Sequence, residues 1–567
     1  MPHAFSMPAP GFQAIILCGP GSSFPTFTSN PEENPKALLP VANRPMVWYP
    51  TEFCYRMGIT NITLIVPNSS LSAMTVALNT NPHLTSLPLP KPNILAPDGL
   101  DQNTGTAAIF RLPQVREVIR GDFIILPCDL ICELGGESLI ELWMMRETNI
   151  GSLAKSRGES STHLAECLRK QGRKGGLGVW YETKGESAIK DEETDFIATS
   201  PLKVGSVPVL KSSLLNNTSK LVYSLPTDTL NDLLEEEKSF PIRHSLIRAH
   251  KQIRMFSSHR DAHIYVFPAW IVDIINKNEH MDSIGEDLVG WWAKAGWQAG
   301  LGEKLGFGEV FERLESSSSD EDYCNNSSRP DDVDCGSLST TWTSELQGSE
   351  ISNSSACLVV PPILAYIPPP SNKLIRRVDT APLLRSVSLQ LAKIESIDMV
   401  GKDGCSPFAH QAKIAYPEGI ASRTTITKLD CLIAENVTVE EKSSIKECVI
   451  GANCQIRSGA RLLRCVLMDG VVVERGCRLT GCILGKRCAI GEDSTLQDCE
   501  VQENLLVEAG SKSHSTCSST PPRISITIIF YHLHHHLAED KNNRLMSSDG
   551  MKATEEEMQA AFTDNPV

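Results

Sequence analysis

Apolar positions in the last third of the chain recur with a period of 17 residues. Cys431, Cys448, Cys465, Cys482 and Cys499 form one column, and Ile433, Ile450, Leu467, Leu484 and Val501 a second. Val439, Ile456, Val473, Ile490 and Val507 form a third, and Ile445, Leu462, Leu479 and Leu496 a fourth. Small or apolar side chains also repeat at Val437, Cys454, Val471 and Cys488. Within each period the aliphatic positions step by 6, 6 and 5, as in Ile450, Ile456, Leu462 and Leu467. A step of about six residues predicts one short strand and one turn. Three such sides close a triangular coil, and coils stacked at about 4.8 Å pile equivalent side chains into a continuous core. Handedness does not follow from the period. The cysteine column reads as core packing: a free cysteine behaves as a small hydrophobe, its neighbours are aliphatic, and no histidine repeats with it.

From Gly11 to about Arg313 the pattern is different. Short apolar runs alternate with amphipathic stretches. Gln13 to Leu17, Ile62 to Val66 and Asp122 to Leu126 read as buried strands bounded by Gly, Pro or Asn. Pro45 to Met57 and Leu139 to Glu147 read as helices, and strands alternating with helices predict a parallel α/β sheet. Leu358 to Val360 and Ile363 to Tyr366 are expected to return to this domain as a final strand, and Thr380 to Glu395 to form a helix leading away. Trp291, Trp292 and Trp297 sit at helical spacing, which suits core packing or a partner surface.

Between these regions, Glu315 to Ala356 holds nine acidic residues, one basic residue and thirteen serines. Too few apolar side chains are present to offset the entropy of ordering the backbone. The expected organisation is therefore a disordered N-terminus (1–10), an α/β domain (11–314 with 358–372), a disordered acidic insert (315–357), a helical linker (373–417), a β-helix (418–510) and a disordered tail (511–567). The tail contains a cluster around His532 to His536. Such clusters can hold metal, but the surrounding Ser/Thr/Pro-rich stretch reads as a disordered insert or a translated intron.

The 567 residues carry 53 Lys+Arg against 68 Asp+Glu, a net charge of −15. That balance argues against direct binding to nucleic acid. No stretch approaches the ~20 apolar residues that span a bilayer, so no membrane partner is expected. Residues 1–11 lack a basic region followed by an apolar one, so a reduced, cytosolic protein is expected, and its 18 cysteines need not form a disulfide framework.

The chemistry is concentrated near the first strand. It runs into Gly19-Pro20-Gly21-Ser22-Ser23-Phe24, and then into Pro35-Lys36-Ala37-Leu38-Leu39-Pro40-Val41. A glycine-rich turn after such a strand lets backbone N–H groups approach phosphates, and Lys36 at the far lip would neutralise them. Thr104-Gly105-Thr106-Ala107-Ala108 and Leu126-Pro127-Cys128-Asp129 follow. These motifs resemble the nucleotidyltransferase domain of sugar-phosphate pyrophosphorylases, which carry G-x-G-T-R-L, P-K-P-L-L-P-V, L-G-T-A and a metal-binding Asp after a central strand. The resemblance covers most of residues 11–315 and 358–510. It implies an α/β nucleotidyltransferase-like (Rossmann-like) domain followed by a C-terminal left-handed parallel β-helix.

The departures from that pattern bear on function. Ser23 stands where the enzymes place an arginine, a charge that would steady the leaving pyrophosphate. The loop from Ser23 to Lys36 is about three residues longer, and no E-K-P tripeptide occurs. The enzymes' N-A-G-I-Y becomes Asp261-Ala262-His263-Ile264-Tyr265, placing a side chain where glycine allows close approach of a sugar. A lone Asp129 does not make a two-carboxylate metal site. The run Leu38 to Pro50, ending in Trp48-Tyr49-Pro50, is more similar to the gamma-subunit family of eukaryotic translation initiation factor 2B. That resemblance implies a non-catalytic scaffold with no cofactor, working with the epsilon subunit and other subunits of that complex on translation initiation factor 2. The helical exchange module of the epsilon subunit has no counterpart in this sequence. Gly19, Gly21, Lys36, Gly105 and Asp129 would be the remnants of a nucleotide pocket. The alternative is an active mannose-1-phosphate guanylyltransferase or related sugar-phosphate nucleotidyltransferase.

Overall fold

In the computed structural model, the described residues are 11–19, 23–101, 103–135, 139–140, 143, 174–184, 188–189, 192–202, 214–240, 242–313, 358–369, 373–401, 404–514, 537–539 and 544–547. Gly21, the acidic insert and the histidine cluster lie outside them. The α/β domain is built on strands β1 (Gln13–Leu17), β2 (Pro40–Val41), β3 (Arg44–Pro45), β4 (Asn61–Ile65), β5 (Asn93–Leu95), β6 (Phe123–Pro127), β7 (Leu130–Cys132), β8 (Gly176–Glu182), β9 (Asp195–Pro201), β10 (Thr218–Pro226), β11 (Arg254–Phe267), β12 (Ile363–Tyr366) and β13 (Ile375–Arg377). Nine of these form one sheet in the order β5-β4-β1-β6-β11-β8-β12-β10-β9.

The three strands expected from the apolar runs are β1, β4 and β6, and they pair in parallel as predicted. The sheet as a whole is mixed. β11 runs antiparallel to β6 and to β8, and β10 antiparallel to β9 and β12. The second half of the domain thus adds antiparallel strands where the apolar runs suggested only parallel ones. Residues 363–366 return to the sheet between β8 and β10, as expected. The apolar side chains of β1 and β6 alternate between two cores. Ala14, Ile16, Ile124 and Leu126 enter one, and Ile15, Phe123 and Ile125 the other. Of the tryptophans, Trp292 is buried and donates to the Pro361 carbonyl at 2.7 Å, whereas Trp291 is exposed.

The 17-residue columns become three parallel ladders. Ile433 pairs with Ile450, Leu467, Leu484 and Val501 in succession. Val439 heads a second series down to Val507, and Ile445 a third down to Leu496. All five column cysteines are buried in this core. The outward residues of the first ladder, Leu432, Val449, Val466 and Ile483, are also apolar. They share a core with Leu384, Val387 and Leu391 of the helix Ala381–Lys393 and with the α/β domain. One face of the coil is therefore an internal surface of the molecule. Strands Lys512–His514, Leu537–Glu539 and Arg544–Ser547 continue the pairing beyond residue 510, the last of them parallel to Glu500–Val501.

Candidate functional site

β1 has β4 on one side and β6 on the other, so the strand order reverses there. Crevices at the carboxyl ends of strands at such points are where open α/β sheets bind ligands. A cavity of about 180 Å³ lies at this place, with Gly19, Lys36, Cys128, Asp129, His263 and Arg377 among its lining residues.

Asp129 is the centre of the site. It follows β6 and is buried with 2% of its side chain exposed. Lys36 Nζ lies 2.8 Å from Oδ2, and Arg377 Nε 3.4 Å from Oδ1. Burial alone would raise the Asp129 carboxyl, but the two cations hold it well below the usual carboxylate range. Burial likewise opposes the Lys36 charge, and Asp129 outweighs it, leaving the ammonium raised above its ordinary value. Both carboxylate oxygens are thus engaged by protein cations. The divalent cation implied by the transferase alternative does not fit this arrangement, because two positive side chains already face the carboxylate.

Arg377 reaches the site because β13 pairs antiparallel with β7, directly after Asp129. The residue lies 248 positions from Asp129, and nothing in the local pattern marks it. Its Nη1 also lies 3.3 Å from His263 Nε2. A guanidinium only donates, so Nε2 accepts and the ring proton sits on Nδ1. Burial, reinforced by Arg377, keeps the imidazole neutral and well below its ordinary pKa. His263 holds a left-handed backbone, φ +51, at a register shift in β11. This is the conformation that glycine adopts without cost, consistent with the glycine expected from the motif. Beside it, Asp261 accepts hydrogen bonds from the His263 N–H and the Tyr265 hydroxyl. Burial, and then the neighbouring Asp195, push the Asp261 carboxyl up to about 7.

Gly105 has a different role from the other motif residues. A Cβ there would come within 2.2 Å of the Asp282 carbonyl oxygen, so the glycine is required by close backbone contact. Its neighbours secure that contact, with Ala107 N–H donating to Asp282 O at 2.8 Å and Ile284 N–H to Thr106 Oγ1 at 2.9 Å. Thr104 and Thr106 face the cavity in its place.

The lengthened loop before Lys36 is fastened to the β-helix. Ser29 and Asn34 both donate to Glu503, Lys486 donates to Asn34 Oδ1 at 2.7 Å, Thr26 donates to Glu500 at 3.2 Å, and Arg487 pairs with Glu33 at 2.8 Å. The Trp48-Tyr49-Pro50 run is a second clamp. The β2–β3 hairpin turns through Ala42 and Asn43, both at positive φ, as a two-residue hairpin turn requires. It presents Arg44, whose guanidinium lies 4.3 Å from the Trp48 ring and donates to the carbonyls of Phe408 and Ala409 in the linker. Asn43 Nδ2 donates to Ile450 O of the coil at 2.9 Å.

The architecture defines a class: a nucleotidyltransferase-like α/β domain carrying a left-handed β-helix, with protein cations closed over the acidic residue of its pocket. Residues 416–515 match the family model for the LbH domain of EIF2B subunit epsilon. Over 289 residues the chain is 26% identical to translation initiation factor eIF2B subunit gamma of Schizosaccharomyces pombe, covering 51% of this chain and 52% of that protein. Over 278 residues it is 22% identical to eIF2B subunit gamma of Caenorhabditis elegans, covering 49% and 56%. The chain spans about half the length of the curated relatives it matches. Homologues named eIF2B subunit gamma and a coil of the eIF2B type agree with the resemblance carried by the Leu38 to Pro50 motif.

Proposed function

We propose that this chain is a non-catalytic, gamma-type subunit of a translation initiation factor 2B complex. It supports GDP/GTP exchange on translation initiation factor 2 in the cytosol, together with an epsilon subunit. The observation that carries the reading is the Asp129 carboxylate held between Lys36 and Arg377. Nucleotidyl transfer depends on electrostatic stabilisation of phosphate oxygens. Here the available positive charge is committed to a protein carboxylate, and Ser23 stands in place of the arginine of the enzymes. Such a pocket favours a scaffold that works by docking, and the clamped pair of domains supplies a rigid body for it.

The test is co-purification of the full chain with an epsilon-type subunit, followed by GDP release from initiation factor 2. The expected result is a stable pair whose exchange rate exceeds that of the epsilon-type subunit alone. Pyrophosphate release by the purified chain from GTP and mannose 1-phosphate, at a rate ordinary for enzymes, would replace this reading with the transferase one.

A further inference from the structure

Two cysteines at the floor of the cavity are used by nothing described so far. Cys18 follows β1 and Cys128 follows β6, and both line the cavity. The two strands are parallel neighbours in register, Leu17 opposite Pro127, and the ladder continues with Cys128 N–H donating to Leu17 O at 3.0 Å. The two cysteines therefore stand side by side. Strand spacing of about 4.8 Å falls inside the Cα separation of roughly 4.4–6.8 Å that a disulfide spans. Both are free thiols, and Cys18 Sγ donates to the Ile16 carbonyl at 3.9 Å.

We propose that Cys18 and Cys128 form a vicinal dithiol open to reversible oxidation by hydrogen peroxide, a modification site in the pocket floor. The size of the cavity selects the oxidant. About 180 Å³ is below the ~300 Å³ of pockets that take drug-sized ligands. Peroxide enters such a space, and a peptide disulfide such as oxidised glutathione does not. The positive charge of Lys36 favours the thiolate form of Cys128, while burial and the Asp129 carboxylate oppose it.

The Cys128 thiolate attacks one peroxide oxygen. The O–O bond breaks, a sulfenic acid forms on Cys128, and the departing hydroxide takes a proton and leaves as water. The Cys18 sulfur then attacks the Cys128 sulfur. The S–S bond forms, the S–O bond breaks, and the hydroxide leaves with the Cys18 proton as a second water. Two thiols and one peroxide become one disulfide and two waters, with two electrons passing to peroxide. A dithiol reductant reverses the net change. The disulfide would staple β1 to β6 just beyond their last hydrogen bond and consume both thiols at the cavity floor.

The column cysteines provide an internal control. Cys465 and Cys482 are buried in the coil core and do not line this cavity, and burial raises the Cys465 thiol above its ordinary value. Cys405 is half-buried and serves as a control for non-selective oxidation. The experiment exposes the full chain to hydrogen peroxide, alkylates residual thiols under denaturing conditions and maps peptides by mass spectrometry. The expected result is a linked Cys18–Cys128 peptide pair that dithiothreitol separates, with these two thiols lost about tenfold sooner than Cys465 and Cys482. In Cys18→Ser the reaction stops at a Cys128 sulfenic acid that dimedone traps. Cys18 and Cys128 remaining fully alkylatable while Cys405 oxidises would overturn the proposal, as would each linking to a different cysteine. The wild-type map decides the matter even if the variant fails to fold.

Discussion

Asp261 and Asp129 lie in the same pocket region, and burial raises the carboxyl pKa of each. The cations Lys36 and Arg377 reverse that effect at Asp129, while Asp195 adds to it at Asp261. The Asp261 carboxyl, at about 7 in the folded chain, is raised above its ordinary 3.8. Between those values the folded state binds the extra proton, so this group's contribution to stability is full below about 4 and is lost as pH rises through 7. Asp261→Asn, which cannot ionise, should therefore gain stability relative to wild type as pH rises from 4 to 7, with no further gain above 8. At about 1.4 kcal/mol per pKa unit the gain is bounded at about 4 kcal/mol. Urea melts at pH 5 and pH 8 measure it; an equal difference at the two values would refute the assignment. Asp129→Asn leaves the largely buried Lys36 without its anion and Arg377 with only the more distant Asp379, and should cost about 3 kcal/mol. Adding Lys36→Met should recover at least about 1 kcal/mol, and strictly additive losses in the double variant would show that the ion pair is not coupled.

The corners of the β-helix show how an element is specified. Positive φ recurs at three columns spaced by 17: Asn436, Asn453, Gly470, Arg487 and Asn504; Lys442, Gly459, Gly476, Asp493 and Gly510; Glu447, Arg464, Gly481 and Asp498. Each corner needs a left-handed residue, which Gly, Asn and Asp supply most cheaply. Lys442, Glu447, Arg464 and Arg487 adopt it despite their side chains. Lys442→Gly should raise stability by about 0.5–1 kcal/mol, and Gly459→Ala should lower it by about 1 kcal/mol or more. Thermal melts of the full chain check both, and Lys442→Gly melting below wild type would contradict the corner argument. These columns were present in the sequence as periodic Gly, Asn and Asp. They are harder to see than the aliphatic ladders because four charged residues interrupt them.

The molecule as a whole is held together by the outer face of one coil side. Leu432, Val449, Val466 and Ile483 share a core with the helix Ala381–Lys393 and the α/β domain. Polar contacts through Glu503, Lys486 and Asn34 flank that core. The loop preceding Lys36 is thereby anchored outside its own domain. Val466→Asp would bury a charge in this seam while leaving the inward ladders unchanged. Calorimetry should then resolve two unfolding transitions where wild type shows one, because the shared core no longer couples the domains. A single transition with unchanged midpoint would mean that the seam does not couple them.

The stacked coil and the first strands of the α/β domain were legible in the sequence because their determinants are local and repeated. A period of 17 places equivalent residues on one ladder, and a five-residue apolar run bounded by turn residues predicts one buried strand. The motif residues Lys36 and Asp129 were legible for the same reason, each following a readable strand or turn. The remaining features required the fold. Arg377 meets Asp129 across 248 residues, and Asn34 meets Glu503 across 469, with no periodicity to link either pair. Cys18 and Cys128 become neighbours only because β1 and β6 pair in register. Spacing along the chain determines which residues share a ladder or a helix face. Which ladder covers which sheet, and which charge meets which carboxylate, is decided by the burial of apolar surface between domains, and that surface exists only once the chain has folded.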